Sequence, residues 1–92
     1  EPRPAAVHGI DHRPVGVSPR GAITAEPMWV RIGSDEEFLA IQAWAGPWPV
    51  EERWWEPERH RRLARFQVVT DDHDGYLVVA EHRRWWISAR YD

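Results

Sequence analysis

His8 and His12 stand four residues apart with Asp11 between them, a spacing that on a helix would aim both imidazoles at one metal ion. Gly9 and Pro14 oppose a helix and no further ligand sits nearby, so the pair reads as loop histidines and no metal is expected. Asp71, Asp72 and Asp74 before Gly75, with Glu81 beyond, outline a calcium loop. The adjacent Asp71-Asp72 breaks the alternating ligand spacing and Glu81 falls in a predicted strand, so an acidic hairpin turn is the better reading. Glu51, Glu52, Glu56 and Glu58 could supply an acid/base pair, but nothing in the sequence sets two of them across a cleft. Ser18, Ser34 and Ser88 lack a nucleophile-elbow context, and there is no glycine-rich phosphate loop. Cysteine is absent, which excludes thiol catalysis, disulfides and Cys-ligated zinc or iron–sulfur centres. No catalytic residue and no cofactor are expected; the chain does not read as an enzyme.

The remaining chemistry is aromatic and cationic. Seven residues are tryptophan, and four of them form the pairs Trp54-Trp55 and Trp85-Trp86. Side chains alternate faces along a strand, so paired indoles point in opposite directions, and a small domain seldom buries both faces of its sheet. Trp48 stands between Pro47 and Pro49, which hold it on a stiff loop at small entropic cost to binding. Tryptophan dominates interface hot spots. All 12 basic residues are arginine, densest at Arg59, Arg61, Arg62 and Arg65. That cluster is either a solvated face paired with Glu56 and Glu58, or a patch for an acidic partner or a single-stranded backbone beside stacking indoles.

At 92 residues this is one small domain. A formal charge of −3 argues against a dedicated duplex-DNA binder, and no apolar run approaches a membrane span or a signal peptide. The chain begins without an initiator Met and reads as a piece of a longer protein, with residues 1–8 a linker or frayed and 9–92 a single β domain. Residues 1–27 hold five of the eight prolines, leaving room only for short extended pieces such as Val15 to Val17; Met28 to Ile32 is another.

Ser34 and Glu37 make a capping box, yet Phe38 to Ala45 also reads as a strand, with Leu39 and Ile41 on one face and Phe38 and Trp44 on the other. Gly46-Pro47-Trp48-Pro49 stops either element, and Val50 to Trp55 is a short strand. Pro57 with acids before bases predicts one or two helical turns. Ala64 to Thr70, Tyr76 to Glu81 and Arg84 to Tyr91 form an antiparallel meander. A two-residue turn at 82–83 sets Ala80 opposite Trp85 and Val78 opposite Ile87; a five-residue loop at 71–75 sets Val68 opposite Val78. One face then carries Phe66, Val68, Tyr76, Val78, Ala80, Trp85, Ile87, Ala89 and Tyr91 as core. The other carries Arg65, Gln67, Leu77, Val79, Trp86, Ser88 and Arg90, and is half apolar.

The run Ala43-Trp44-Ala45-Gly46-Pro47-Trp48-Pro49-Val50, then Glu52-Arg53-Trp54-Trp55, Ala64 to Val68, Tyr76-Leu77, Arg84-Trp85-Trp86 and Tyr91-Asp92, resembles the C-terminal domain of ImuB over about residues 9–92. ImuB is the Y-family-polymerase-like subunit of the actinobacterial mutasome. The resemblance implies an adaptor without catalytic carboxylates, whose C-terminal region meets ImuA-prime and the error-prone C-family polymerase during damage-induced mutagenesis. It favours a strand over 37–45. The family's clamp-binding peptide lies upstream, so no clamp contact is assigned to this chain. Where relatives tend to have a Gly-rich turn this chain has His82-Arg83, which tolerate positive φ poorly.

The expectation is therefore a mostly-β domain, a small bent antiparallel sheet or open barrel of five to seven short strands with one short helix. Its expected role is non-catalytic protein–protein interaction in a translesion-synthesis complex, docking ImuA-prime and/or the error-prone polymerase in the cytoplasm, near the nucleoid. Partner contacts are expected at Trp48, Trp55, Trp86, Arg62, Arg65 and Arg90. A strand edge could also accept a partner strand. The alternative is an OB-like single-stranded nucleic-acid module using the same indoles, and the third a purely structural tail.

Overall fold

The computed structural model describes residues 3–53, 55–59 and 61–91. Six strands follow in chain order: β1 Arg3–His8, β2 Trp29–Ile32, β3 Leu39–Glu52, β4 Arg61–Thr70, β5 Gly75–Glu81 and β6 Arg84–Tyr91. Each pairs antiparallel with the next, and β1 pairs β6, so the meander closes into a barrel. The mostly-β antiparallel class is as predicted. The barrel is closed rather than open, and β3, at 14 residues, is not short.

The sixth strand comes from the segment expected to be a linker. Arg3–His8 pairs β2 through Ala5 to His8 and β6 through Arg3 to Ala5, and Val7 enters the core. Pro4 stands at the second position of this strand, ahead of its pairing with β2, where a missing donor is tolerated. Glu1 and Pro2 of that expectation lie outside the described residues, as do Trp54, His60 and Asp92.

Residues 9–28 fold back onto the barrel as a strap. The Val15 amide donates to the Val7 carbonyl (2.8 Å) and the Val17 amide to His82 (2.8 Å). Val17 bridges Ile23, and the Met28 amide returns to His8 (2.9 Å) to begin β2. Val15 is buried in the core. The short extended piece predicted at 15–17 therefore closes against the barrel.

Gly46-Pro47-Trp48-Pro49 does not stop β3, which runs through it. The reason is the flank: β2 pairs β3 only at Leu39 and Ala40, so prolines farther along interrupt no ladder on that side. Register shifts at Ile41/Ala43 and Ala45/Trp48 absorb the irregularity, the second at the cis Gly46–Pro47 peptide with Gly46 at φ 124. The first shift also overturns the strict alternation expected over 38–45, because Leu39, Ile41 and Trp44 all pack against the core. The helix expected after Pro57 is absent among the described residues. The Arg59 amide bonds the Glu56 carbonyl (2.8 Å) in a turn, and β4 begins at Arg61, too soon for a helical nucleus to propagate.

The second hairpin has the predicted register, with Ala80 opposite Trp85 and Val78 opposite Ile87. Its turn places His82 at φ 58, a conformation unfavourable to a residue with a Cβ. The first hairpin is offset by two: Val68 faces Tyr76 and Phe66 faces Val78. The Thr70 amide bonds the Asp74 carbonyl (3.0 Å) around a tighter loop with His73 at φ 69, so every residue keeps its expected face. In β6 a register shift opposite Leu77/Val78 changes the alternation beyond Ile87. Ala89 and Tyr91, expected in the core, are exposed for that reason. The core itself is Val7, Val15, Val30, Ile32, Phe66, Val68, Tyr76, Val78, Ala80, Trp85 and Ile87, with Ala64 at one end.

Candidate functional site

Residues directly opposite each other on paired strands point to the same side. The pairs Trp48↔Arg65, Arg65↔Val79, Val79↔Trp86 and Trp86↔Pro4 therefore form one row across the outside of five strands. Val50↔Leu63 and Glu52↔Arg61 continue the same face toward the end of β4. Together with Arg84 and Ser88 the groups of this face other than Trp48 line a groove of about 530 Å³, and Trp48 stands beside it opposite Arg65. Val79, at its floor, is 8% exposed although it faces outward.

One cation organises this face. Arg61 forks onto Glu81 through two bonds (3.1 and 2.9 Å) and also reaches Glu52 (3.5 Å). The Arg61 hydrogen bonds hold the Glu81 carboxyl below its ordinary range despite partial burial, and the same bonds raise the Arg61 guanidinium. From there Arg61 lies 5.9 Å from the Trp86 ring centroid, with Arg84 at 5.7 Å. Trp86 is thereby half-buried under guanidinium groups, whereas Trp48 is 44% exposed. Arg65 and Arg84 take part in no ion pair among the described residues.

Of the six expected contact residues, Trp48, Arg65 and Trp86 are brought together. Arg62 shares the alternation of Ala64 and Phe66, so it points away from this face and meets Glu51 at 3.6 Å. It lines a different groove of about 660 Å³, between the strap at 17–21 and the ends of β3, β4 and β5. Arg90 was expected on the half-apolar face, but the shift in β6 sets it opposite Tyr76, 5.9 Å from that ring and 2.8 Å from Asp74. Trp55 is 61% exposed on the turn beyond β3, where its Nε1 donates to Glu56 (3.2 Å) and Arg53 and Arg59 flank the same carboxylate. Arg61, which the sequence places only in the basic cluster, and Arg84 join the site beyond the six expected contacts. Extending β4 back from Arg65 by steps of two would have placed Leu63 and Arg61 beside it.

The other chemistry-bearing residues are occupied structurally. His12 stacks on Trp29 (5.0 Å) and His8 tilts against Phe38 (4.5 Å). Thr70 donates to Asp72 at the acidic turn, holding that carboxyl low, while burial pushes the Tyr76 phenol up. Among the described residues no group of three or more His, Asp or Glu side chains could hold a metal, and no helix is long and apolar enough to cross a membrane. Compared with known proteins, the chain matches no family model, no curated protein and no solved structure.

Proposed function

We propose that this domain is a non-catalytic protein-docking module of a damage-induced translesion-synthesis adaptor of the ImuB kind, acting in the cytoplasm near the nucleoid. Its partners in this reading are ImuA-prime and/or the error-prone C-family polymerase. The observation that carries the docking role is the cross-sheet row of Trp48, Arg65 and Trp86, two indoles flanking a guanidinium on an outward face. Such a constellation contributes nothing to the core and has the composition of an interface hot spot. The choice of partners rests on the sequence resemblance through Gly46-Pro47-Trp48-Pro49 and Arg84-Trp85-Trp86.

The test is capture of purified ImuA-prime and of the polymerase by the immobilised domain, with Trp48→Ala and Trp86→Ala variants whose circular dichroism matches the parent. Loss of capture in both variants supports the reading; capture that is absent, or indifferent to both substitutions, overturns it.

A second reading, single-stranded nucleic-acid binding, is favoured by Arg61 and Arg84 flanking Trp86, since stacking with nearby cations suits bases and phosphates. The strand order is a sequential meander and not the Greek-key barrel of an OB-fold, so it rests on the side chains alone. Oligo-dT binding that weakens steeply with salt would favour it over protein docking.

A further inference from the structure

We propose that the Trp48–Arg65–Trp86 row seats an extended acidic segment of a partner protein, with an acidic side chain flanked two residues away on each side by apolar ones. This rests on the docking reading above and adds the chemistry of the occupant.

The charges on this face are unequal in what they have left to offer. Glu52 and Glu81, its two carboxylates, are both engaged by Arg61. Arg65 sits exposed between two indoles and forms no ion pair among the described residues, whereas Arg84 lies over Trp86 and acts on the Glu81 carboxylate opposite it. An incoming carboxylate thus finds a planar fork without displacing an existing pair, and planar forks bind carboxylates through two bonds at once. Because Arg61 is fixed by Glu81, its guanidinium is retained against the Trp86 ring and is not a second free cation.

Spacing selects an extended peptide. Trp48 and Trp86 are three strand spacings apart, about 14 Å across the sheet. In an extended segment, side chains at i, i+2 and i+4 share a side and span about 13 Å. The first and last then rest on the two indoles and the middle one meets Arg65, above the apolar floor of Val79 and Leu63. A nucleic-acid strand fits less well. It brings a phosphate with every nucleotide to a groove lined by Glu52, with Glu81 on the same face opposite Arg84, on a chain of net charge −3.

The test is fluorescence-anisotropy titration of the intact chain with a labelled, end-capped peptide containing Phe-Ser-Glu-Ser-Phe, beside its Gln counterpart and oligo-dT. Saturable binding of the Glu peptide is expected, weakened about tenfold by Arg65→Gln and by the Glu-to-Gln change in the peptide, and unaffected by Arg20→Gln. Thermal midpoints of the variants, equal to the parent's, exclude unfolding as the cause. No saturable binding up to about 1 mM, equal binding of both peptides, or tighter binding of oligo-dT overturns the proposal. If partner capture through Trp48 and Trp86 stands while the Glu peptide shows no preference, this inference falls and the docking module survives. If the tryptophan substitutions alter no capture, both fall.

Discussion

Trp85 donates its indole Nε1–H to the Val15 carbonyl at 2.7 Å inside the barrel, joining residues 70 apart in sequence. The bond fastens the 9–28 strap to β6 and satisfies the one polar atom of a core indole. Trp85→Phe removes the donor and leaves a buried carbonyl unpartnered. It is expected to cost about 2 kcal/mol in urea-unfolding stability, partly from the unsatisfied oxygen and partly from the lost ring volume.

The adjacent indole behaves differently. Trp86→Ala and Trp48→Ala are expected to cost about 1 kcal/mol or less, against about 3–5 kcal/mol for Trp85→Ala, because only Trp85 belongs to the core. Acrylamide quenching of single-tryptophan variants should order Trp55 and Trp48 as open and Trp85 as shielded. Equal losses of stability at 85 and 86 would contradict the assigned faces.

Gly46 is a backbone position without room for a side chain. A Cβ there would lie 2.8 Å from the Arg65 carbonyl oxygen and 3.1 Å from the Phe66 ring, at a φ of 124 that side chains avoid. Gly46→Ala should therefore destabilise by roughly 2 kcal/mol or more, read as a shifted denaturation midpoint with unchanged slope.

Glu81 links stability to pH. Its folded carboxyl is held below the ordinary glutamate range, chiefly by the Arg61 hydrogen bonds, so it stabilises the fold above the unfolded value and loses this as pH falls through the lower folded one. Asp72, held down by the Thr70 hydroxyl, acts in the same direction. Stability should decline below about pH 4.3, and Glu81→Gln should flatten part of that decline. At neutral pH the substitution should cost up to about 1 kcal/mol, since Arg61 is partly solvated. Thermal midpoints between acid and neutral pH check both statements.

The C-terminal meander was readable because alternation in Phe66 to Thr70, Tyr76 to Glu81 and Trp85 to Ile87 has a single period and short turns. Apart from the tighter loop of the first hairpin, the departures in β3 and β6 come from one-residue shifts, at 41/43, 45/48 and beyond Ile87, which leave no compositional mark yet change the face of everything after them. That is why Arg90 and Tyr91 moved off their expected sides while Trp48, Arg65 and Trp86 converged. Ring closure by Arg3–His8 was hidden for another reason: a strand with prolines beside it and two alanines within it looks like tether, and only its two neighbours stabilise it. Arg61, named in the basic cluster, is missing from the expected contacts because an expected helix absorbs the start of β4.

Joining β1 to β6 leaves the far flank of β3 beyond Ala40 as the longest stretch of sheet without a strand neighbour among the described residues. Pro47 and Pro49 stand on that stretch, and neither brings an amide hydrogen. A second molecule adding its own strand there would find gaps where a continuous ladder needs donors. This flank is thus a poor template for filament growth, and association there has to proceed through side chains.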